Sequence, residues 1–148
     1  MDIRQFVIGD SSAVIELWSS TGLLWPHNNP VQDIDRKLDD SPWGFLVMTE
    51  DDHIIGSIMV GYDGHRGWVN YLACHPAHRR RGVATALMSK AGEMLAARGC
   101  PKINLLVRAG NETAVKFYES IGYTAEAVSS LGLRLVDDQG ENQSNPSP

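Results

Sequence analysis

Apolar residues recur along this chain at two spacings, and each change of spacing marks an element. Residues 2–8, DIRQFVI, alternate and predict a first strand. Asp10 then stands as the cap of a helix carrying Val14, Ile15, Leu17 and Trp18. After the loop TGLLWPHNN, Asn29 as cap and Pro30 at the first helical position predict a second helix, with Ile34 and Leu38 inward. WGFLVMTE and HIIGSIMVGYD read as strands joined at Asp51-Asp52. Asp63-Gly64 predicts a hairpin, and HRGWVNYLACH the returning strand. From about Val83 to Arg98, Ala84, Leu87, Met88, Ala91 and Leu95 step by three and four, one buried helical stripe ended by Gly99. Pro101 to Val107 predicts a strand, Asn111 caps a helix running to Ile121, and YTAEAVSS and LGLRLV predict two further strands. The order is that of a single mixed α/β (α+β) domain over residues 1–136, its central sheet flanked by helices. Residues 137–148 are polar, rich in turn formers, and expected to be a disordered tail.

Composition narrows the class. At 148 residues, 43% hydrophobic and 21% charged, the chain suits one soluble globular domain. No apolar run is long enough to cross a bilayer, and the opening residues lack the pattern of a signal peptide. Cys74 and Cys100 are isolated and read as reduced thiols of a cytoplasmic protein. Three of the five excess negative charges lie in the tail, on Asp137, Asp138 and Glu141. A mildly acidic body with one tight basic cluster speaks against a general nucleic-acid binder.

That cluster, Arg79-Arg80-Arg81, stands just before Gly82 and a helix. Strand, glycine loop and helix form a geometry that binds phosphate. The first helical turn has unpaired N–H groups and the positive end of the dipole, and glycine lets an anion approach the backbone. A solvated basic loop is the other reading of the same residues. The P-loop and the dinucleotide fingerprint are both absent. His75 and His78 do not complete a zinc site, which takes about four ligands, so no metal is expected.

The run Arg79-Arg80-Arg81-Gly82-Val83-Ala84 resembles the R/Q-x-x-G-x-G/A signature of the GCN5-related N-acetyltransferases, the GNAT family. Leu72-Ala73-Cys74-His75-Pro76 is similar to the end of that family's pantetheine-binding strand, and Asn111 to Tyr118 to its N-x-x-A-x-x-F-Y helix. WPHNNPVQDIDRK, GYDGHRG, ARGCPKI and YESIGY resemble its YpeA-like branch. The resemblance implies the GNAT acyl-CoA N-acyltransferase fold and direct transfer of acetyl from acetyl-CoA, as co-substrate, to a primary amine.

By position, the resemblance implies that the amides of Arg79, Arg80, Arg81, Gly82, Val83 and Ala84 hold the pyrophosphate. Leu72, Ala73 and Cys74 would pair with the pantetheine arm, and the Leu72 amide would face the thioester oxygen. Cys74 itself reads as packing, because no base lies near it in the motif. Asn111 and Tyr118, about two turns apart on one helix, would flank the ligand, with Tyr118 serving the leaving thiolate. Their plainer readings are a helix cap and a half-buried aromatic. Relatives acting on protein N-termini often carry a basic Glu where this chain has Leu106. Asp63, His65 and Tyr71 remain as candidate bases, with Asp63 equally a turn residue. Trp25, His27 and Asn28 fall where the family often forms its acceptor pocket, and Trp43 and Trp68 read as packing.

The acceptor class stays open among small-molecule amines, peptide N-termini and protein lysines. A homodimer is compatible, with neither nucleic acid nor membrane as partner. The alternative function is a catalytically silent acyl-CoA-binding or regulatory protein on the same fold.

Overall fold

The computed structural model describes residues 1–138. Its elements are β1 (Asp2–Gln5), α1 (Ser11–Ser20), α2 (Pro30–Asp40), β2 (Phe45–Glu50), β3 (His53–Tyr62), β4 (Gly67–Cys74), α3 (Val83–Ala97), β5 (Ile103–Leu105) and α4 (Glu112–Ser120). The strands form one mixed sheet in the order β1-β2-β3-β4-β5, antiparallel except for the parallel pair β4–β5. Tight turns set the antiparallel meander. Asp51 and Asp52 both adopt left-handed φ, 52° and 63°, which matches the twist of a two-residue hairpin. Asp63 closes the next hairpin by accepting from the amides of His65 (2.8 Å) and Arg66 (2.7 Å).

Both faces of the central strands are covered, so β2 reads as a continuous apolar run rather than an alternation. Leu46 and Met48 join Ile55, Ile58 and Val60 beneath α3, whose Val83, Leu87, Met88, Ala91 and Leu95 form the predicted stripe. Val83 replaces Ala84 as its first buried member. Phe45 and Val47 point the other way, toward Val14, Leu17 and Trp18 of α1 and Ile34 of α2. Each large apolar side chain buried this way contributes about 1.5–3 kcal/mol. Gly56 of β3 lets α3 lie close, since a Cβ there would stand 2.7 Å from Val83 Cγ1.

Some expectations are corrected. Residues 123–136 form no regular strand; β5 offers only three paired residues, and the Glu126 side chain occupies its flank, hydrogen-bonded to Lys102 and Asn104. β1 is shorter than the predicted 2–8 and gives way to a 3-10 turn at Ile8–Asp10. Asp10 does not cap α1; its carboxylate turns back to the Val7 amide and to Arg4, which holds it below the usual carboxylate range. Asp137 and Asp138, expected to start the tail, are described, and Asp138 pairs with both terminal guanidinium nitrogens of Arg36 at 2.7 Å. The remainder of the expected tail lies outside the described residues.

Candidate functional site

The site begins with a break in the sheet. β4 pairs with β5 only through Gly67, Trp68 and Val69, opposite Ile103, Asn104 and Leu105. Beyond Val69 the register against β3 jumps from Met59↔Asn70 to Ser57↔Ala73, so Tyr71 and Leu72 together face Ile58. This is a β-bulge, which bends a strand and re-aims its backbone. Tyr71 sits at φ 50°, a left-handed position that non-glycine residues adopt only when their surroundings impose it. Those surroundings are visible. Ser57 Oγ donates to the Tyr71 carbonyl and accepts from the buried Trp18 Nε1, both at 2.9 Å. The Tyr71 ring stacks on Trp18 with centroids 3.8 Å apart.

The bulged strand runs into the arginine loop. His75 Nδ1 accepts from the Ala77 amide, a local turn contact. Arg80 (φ 63°) and Gly82 (φ 80°) are both left-handed, which curves the backbone into the kind of concavity whose amides gather anions. No side chain caps α3, and a Cβ at Gly82 would meet no atom within 4 Å. The N–H groups of its first turn are left without a hydrogen-bond partner among the described residues, unlike those of α2 and α4. At α2, Asn29 Oδ1 accepts from Val31 and Gln32; at α4, Asn111 Oδ1 accepts from Ala114 at 3.1 Å. Arg81 is partly committed, since Nη2 lies 2.9 Å from Glu50 Oε2. Arg79 and Arg80 are exposed at the mouth.

Tyr118 of α4 packs against the α3-side core, edge-on to Phe117 and Tyr123. Burial and the neighbouring Tyr123 push its pKa up to about 12, and among the described residues its hydroxyl makes no hydrogen bond. Asn111 instead lines a concavity of about 330 Å³ with Val107, Arg108, Gly110, Val115 and Glu119. Burial pushes the Cys74 thiol up, only partly offset by the charge of Arg79, and its Sγ lies 3.5 Å from the His75 carbonyl. That is a packing residue, not a thiolate.

The three candidate bases fare differently. Asp63 is committed to its turn and to Trp68 Nε1 (3.1 Å), and its backbone hydrogen bonds hold it below the usual carboxylate range. This contact also corrects Trp68, which is exposed at the hairpin rather than packed. His65 is exposed. Tyr71 is held well above the ordinary phenol range, first by burial and then by Asp33, and donates to Asp33 Oδ2 at 2.6 Å, so it is no base. Leu106 stands exposed just past β5. Trp25 carries Arg108 over its ring at 3.4 Å, joining the α1–α2 loop to the β5–α4 loop; His27 and Asn28 are exposed beside it. Trp43 packs beneath Arg98. Sequence reasoning missed Trp18, Ser57, Asp33 and Arg108, whose contacts link positions far apart in the chain.

A strand bent away from its parallel neighbour, running into an uncapped helix, is the frame shared by a known group of proteins. The acetyltransferase (GNAT) family matches residues 12–123, and the chain belongs to it. An acetyltransferase of Sodalis glossinidius is 49% identical over 140 residues, covering 94% of this chain and 99% of the relative. One of Pectobacterium atrosepticum is 48% identical over 139 residues, with the same coverage. Among solved structures, an aminoglycoside antibiotic 6'-N-acetyltransferase of Acinetobacter haemolyticus superimposes with TM-score 0.73 at 20% identity, covering 92% of this chain and all of that one. Ard1 from Thermoplasma volcanium gives 0.77 at 24% identity, over 85% of this chain and 84% of that one. These structures share the fold, and acetyl transfer is the class of activity that the family assigns.

Proposed function

We propose that the chain binds acetyl-CoA between β4 and α4 and transfers its acetyl group to a primary amine by direct attack. The observation that carries this reading is the uncapped, left-handed entry to α3 directly after the bulged end of β4. The unpaired amides of Ala84 and Thr85 and the curve at Arg80 and Gly82 fit a pyrophosphate, with Arg79 and Arg80 adding charge around it. The edge from Leu72 to Cys74 fits the pantetheine amides. The Leu72 N–H, turned by the bulge, serves the thioester oxygen as negative charge develops there.

In this scheme the amine nitrogen bonds to the acetyl carbon as the C–S bond breaks. The amine's excess proton passes to water, consistent with a leucine at position 106. Tyr118 keeps its proton at neutral pH. Giving it outright to a thiolate near pKa 8.5 would be uphill by about 5 kcal/mol. Its hydroxyl therefore serves the leaving sulfur chiefly as a hydrogen-bond donor, and water completes the protonation.

The test is calorimetry with acetyl-CoA, then thiol release against a panel of amines. Absence of acetyl-CoA binding would sink the reading. Binding without turnover of any amine would favour the silent acyl-CoA-binding alternative, which the absence of a carboxylate at Leu106 supports. Tyr118→Phe keeps the ring and should leave acetyl-CoA affinity unchanged while lowering turnover by about tenfold to a hundredfold, the size of one hydrogen bond to a developing thiolate. Turnover within about threefold of the unmutated chain makes Tyr118 a packing residue and leaves the sulfur to water.

A further inference from the structure

Resting on that reading, the geometry points to Asp33 as the group that receives the acceptor's ammonium. Asp33 lies in the first turns of α2 and reaches the bulge through Tyr71, the residue before Leu72. The Tyr71 phenol donates to Oδ2, while the nearest cation, Arg36 Nη1, stands 3.8 Å from Oδ1, beyond hydrogen-bond distance. Arg36 is drawn away instead, with both of its terminal nitrogens on Asp138 at 2.7 Å. One oxygen of a carboxylate whose side chain is about a quarter exposed is thus left without a donor among the described residues.

Its position gives this meaning. Tyr71 lies on the α1–α2 face with Trp18, and Leu72 packs toward α3 and α4. A ligand along the α3–α4 side therefore presents its thioester at the bulge, and the acceptor arrives from the side that Asp33 occupies. The other candidate carboxylate, Asp63, is consumed by its own turn. Trp18 fixes the Tyr71 ring and Tyr71 fixes the Asp33 carboxylate, so the acceptor's charge meets a held partner. The chemistry this selects is an acceptor that presents a cationic amine at this face, by charge-assisted hydrogen bonding to Oδ1. The bound ammonium gives one proton to water to expose the lone pair that attacks, and the second leaves to water as the amide forms.

The test uses the full chain, with spermidine, kanamycin and a short peptide with a free N-terminus as probes. Acetyl-CoA affinity is measured by calorimetry and amine KM and kcat by thiol release, on the unmutated chain, Asp33→Asn, Asp33→Glu and Tyr71→Phe. Thermal melting checks that each variant folds. Asp33→Asn should raise amine KM by about tenfold to a hundredfold, the size of a lost charged hydrogen bond, with acetyl-CoA affinity within about twofold. Asp33→Glu should recover part of that loss, and Tyr71→Phe should raise KM by a smaller factor. An unchanged KM in a folded Asp33→Asn overturns the assignment. So does an unmutated chain that binds acetyl-CoA yet acetylates none of the three probes, which leaves the acetyl-CoA reading standing. Failure to bind acetyl-CoA at all removes that reading and this one together.

Discussion

Helices α2 and α3 begin in opposite ways. At α2, Asn29 is almost fully buried, its side chain takes two first-turn amides and Pro30 removes a third donor. At α3, Gly82 provides no side chain, stands in the left-handed region, and leaves the first-turn amides without a capping acceptor. A helix end that satisfies its own donors is finished as structure. One that leaves them unpaired beside two exposed arginines and a bulged strand has the donors and charge that suit an anion, which is the proposed reading of this site.

The largest expected effect comes from destroying the open end. Gly82→Glu should weaken acetyl-CoA binding by about a hundredfold or more, through repulsion and the strain of a side chain at positive φ. Calorimetry that finds affinity within about threefold would erase the contrast between the two helices. Gly82→Asn makes the contrast sharper, because asparagine tolerates the left-handed region and sets an acceptor beside the same amides. It should preserve the melting temperature and still lower affinity, by about tenfold, a smaller loss than that of a repelling carboxylate.

The capped end should respond in the other currency. Asn29→Ala removes the acceptor for Val31 and Gln32 and should cost about 1–2 kcal/mol of stability. In a chain of this size that lowers the melting temperature by about 2–8 °C. Acetyl-CoA affinity should stay within about twofold. A loss of affinity without a loss of stability would show that α2's entry also serves the ligand.

How far the sequence disclosed all this depended on the range of the interaction. The α3 stripe, the Asn29 and Asn111 caps and the Asp51 and Asp63 turns rest on residues close together in the chain, and local patterns disclosed them. Asp10 misled because a cap and a carboxylate bound to Arg4 look alike in sequence. The alternation in LGLRLV also misled, since it describes a strand's faces but not whether an edge exists to pair with. The bulge at Tyr71 needed Ser57 and Trp18, and Asp33 lies 38 residues from its tyrosine. Such contacts have no period to read.

The smallest effect concerns Asn111, which stands between the two kinds of helix end. Its Oδ1 caps α4 through Ala114, yet it is exposed, lines the concavity, and its Nδ2 has no partner among the described residues. Asn111→Ser keeps a capping oxygen, removes the amide donor and adds no charge beside an anionic ligand. If Asn111 is a cap and nothing more, stability holds within about 0.5 kcal/mol and acetyl-CoA affinity does not move. If its amide also donates to the ligand, affinity falls while stability holds. The family motif at this position favours the second outcome, with a loss of about threefold to tenfold, the size of one exposed hydrogen bond. Melting and calorimetry on one preparation decide it. Unchanged affinity would return α4 to the class of α2, a helix whose entry is complete in itself, and leave α3 as the chain's anion-binding terminus.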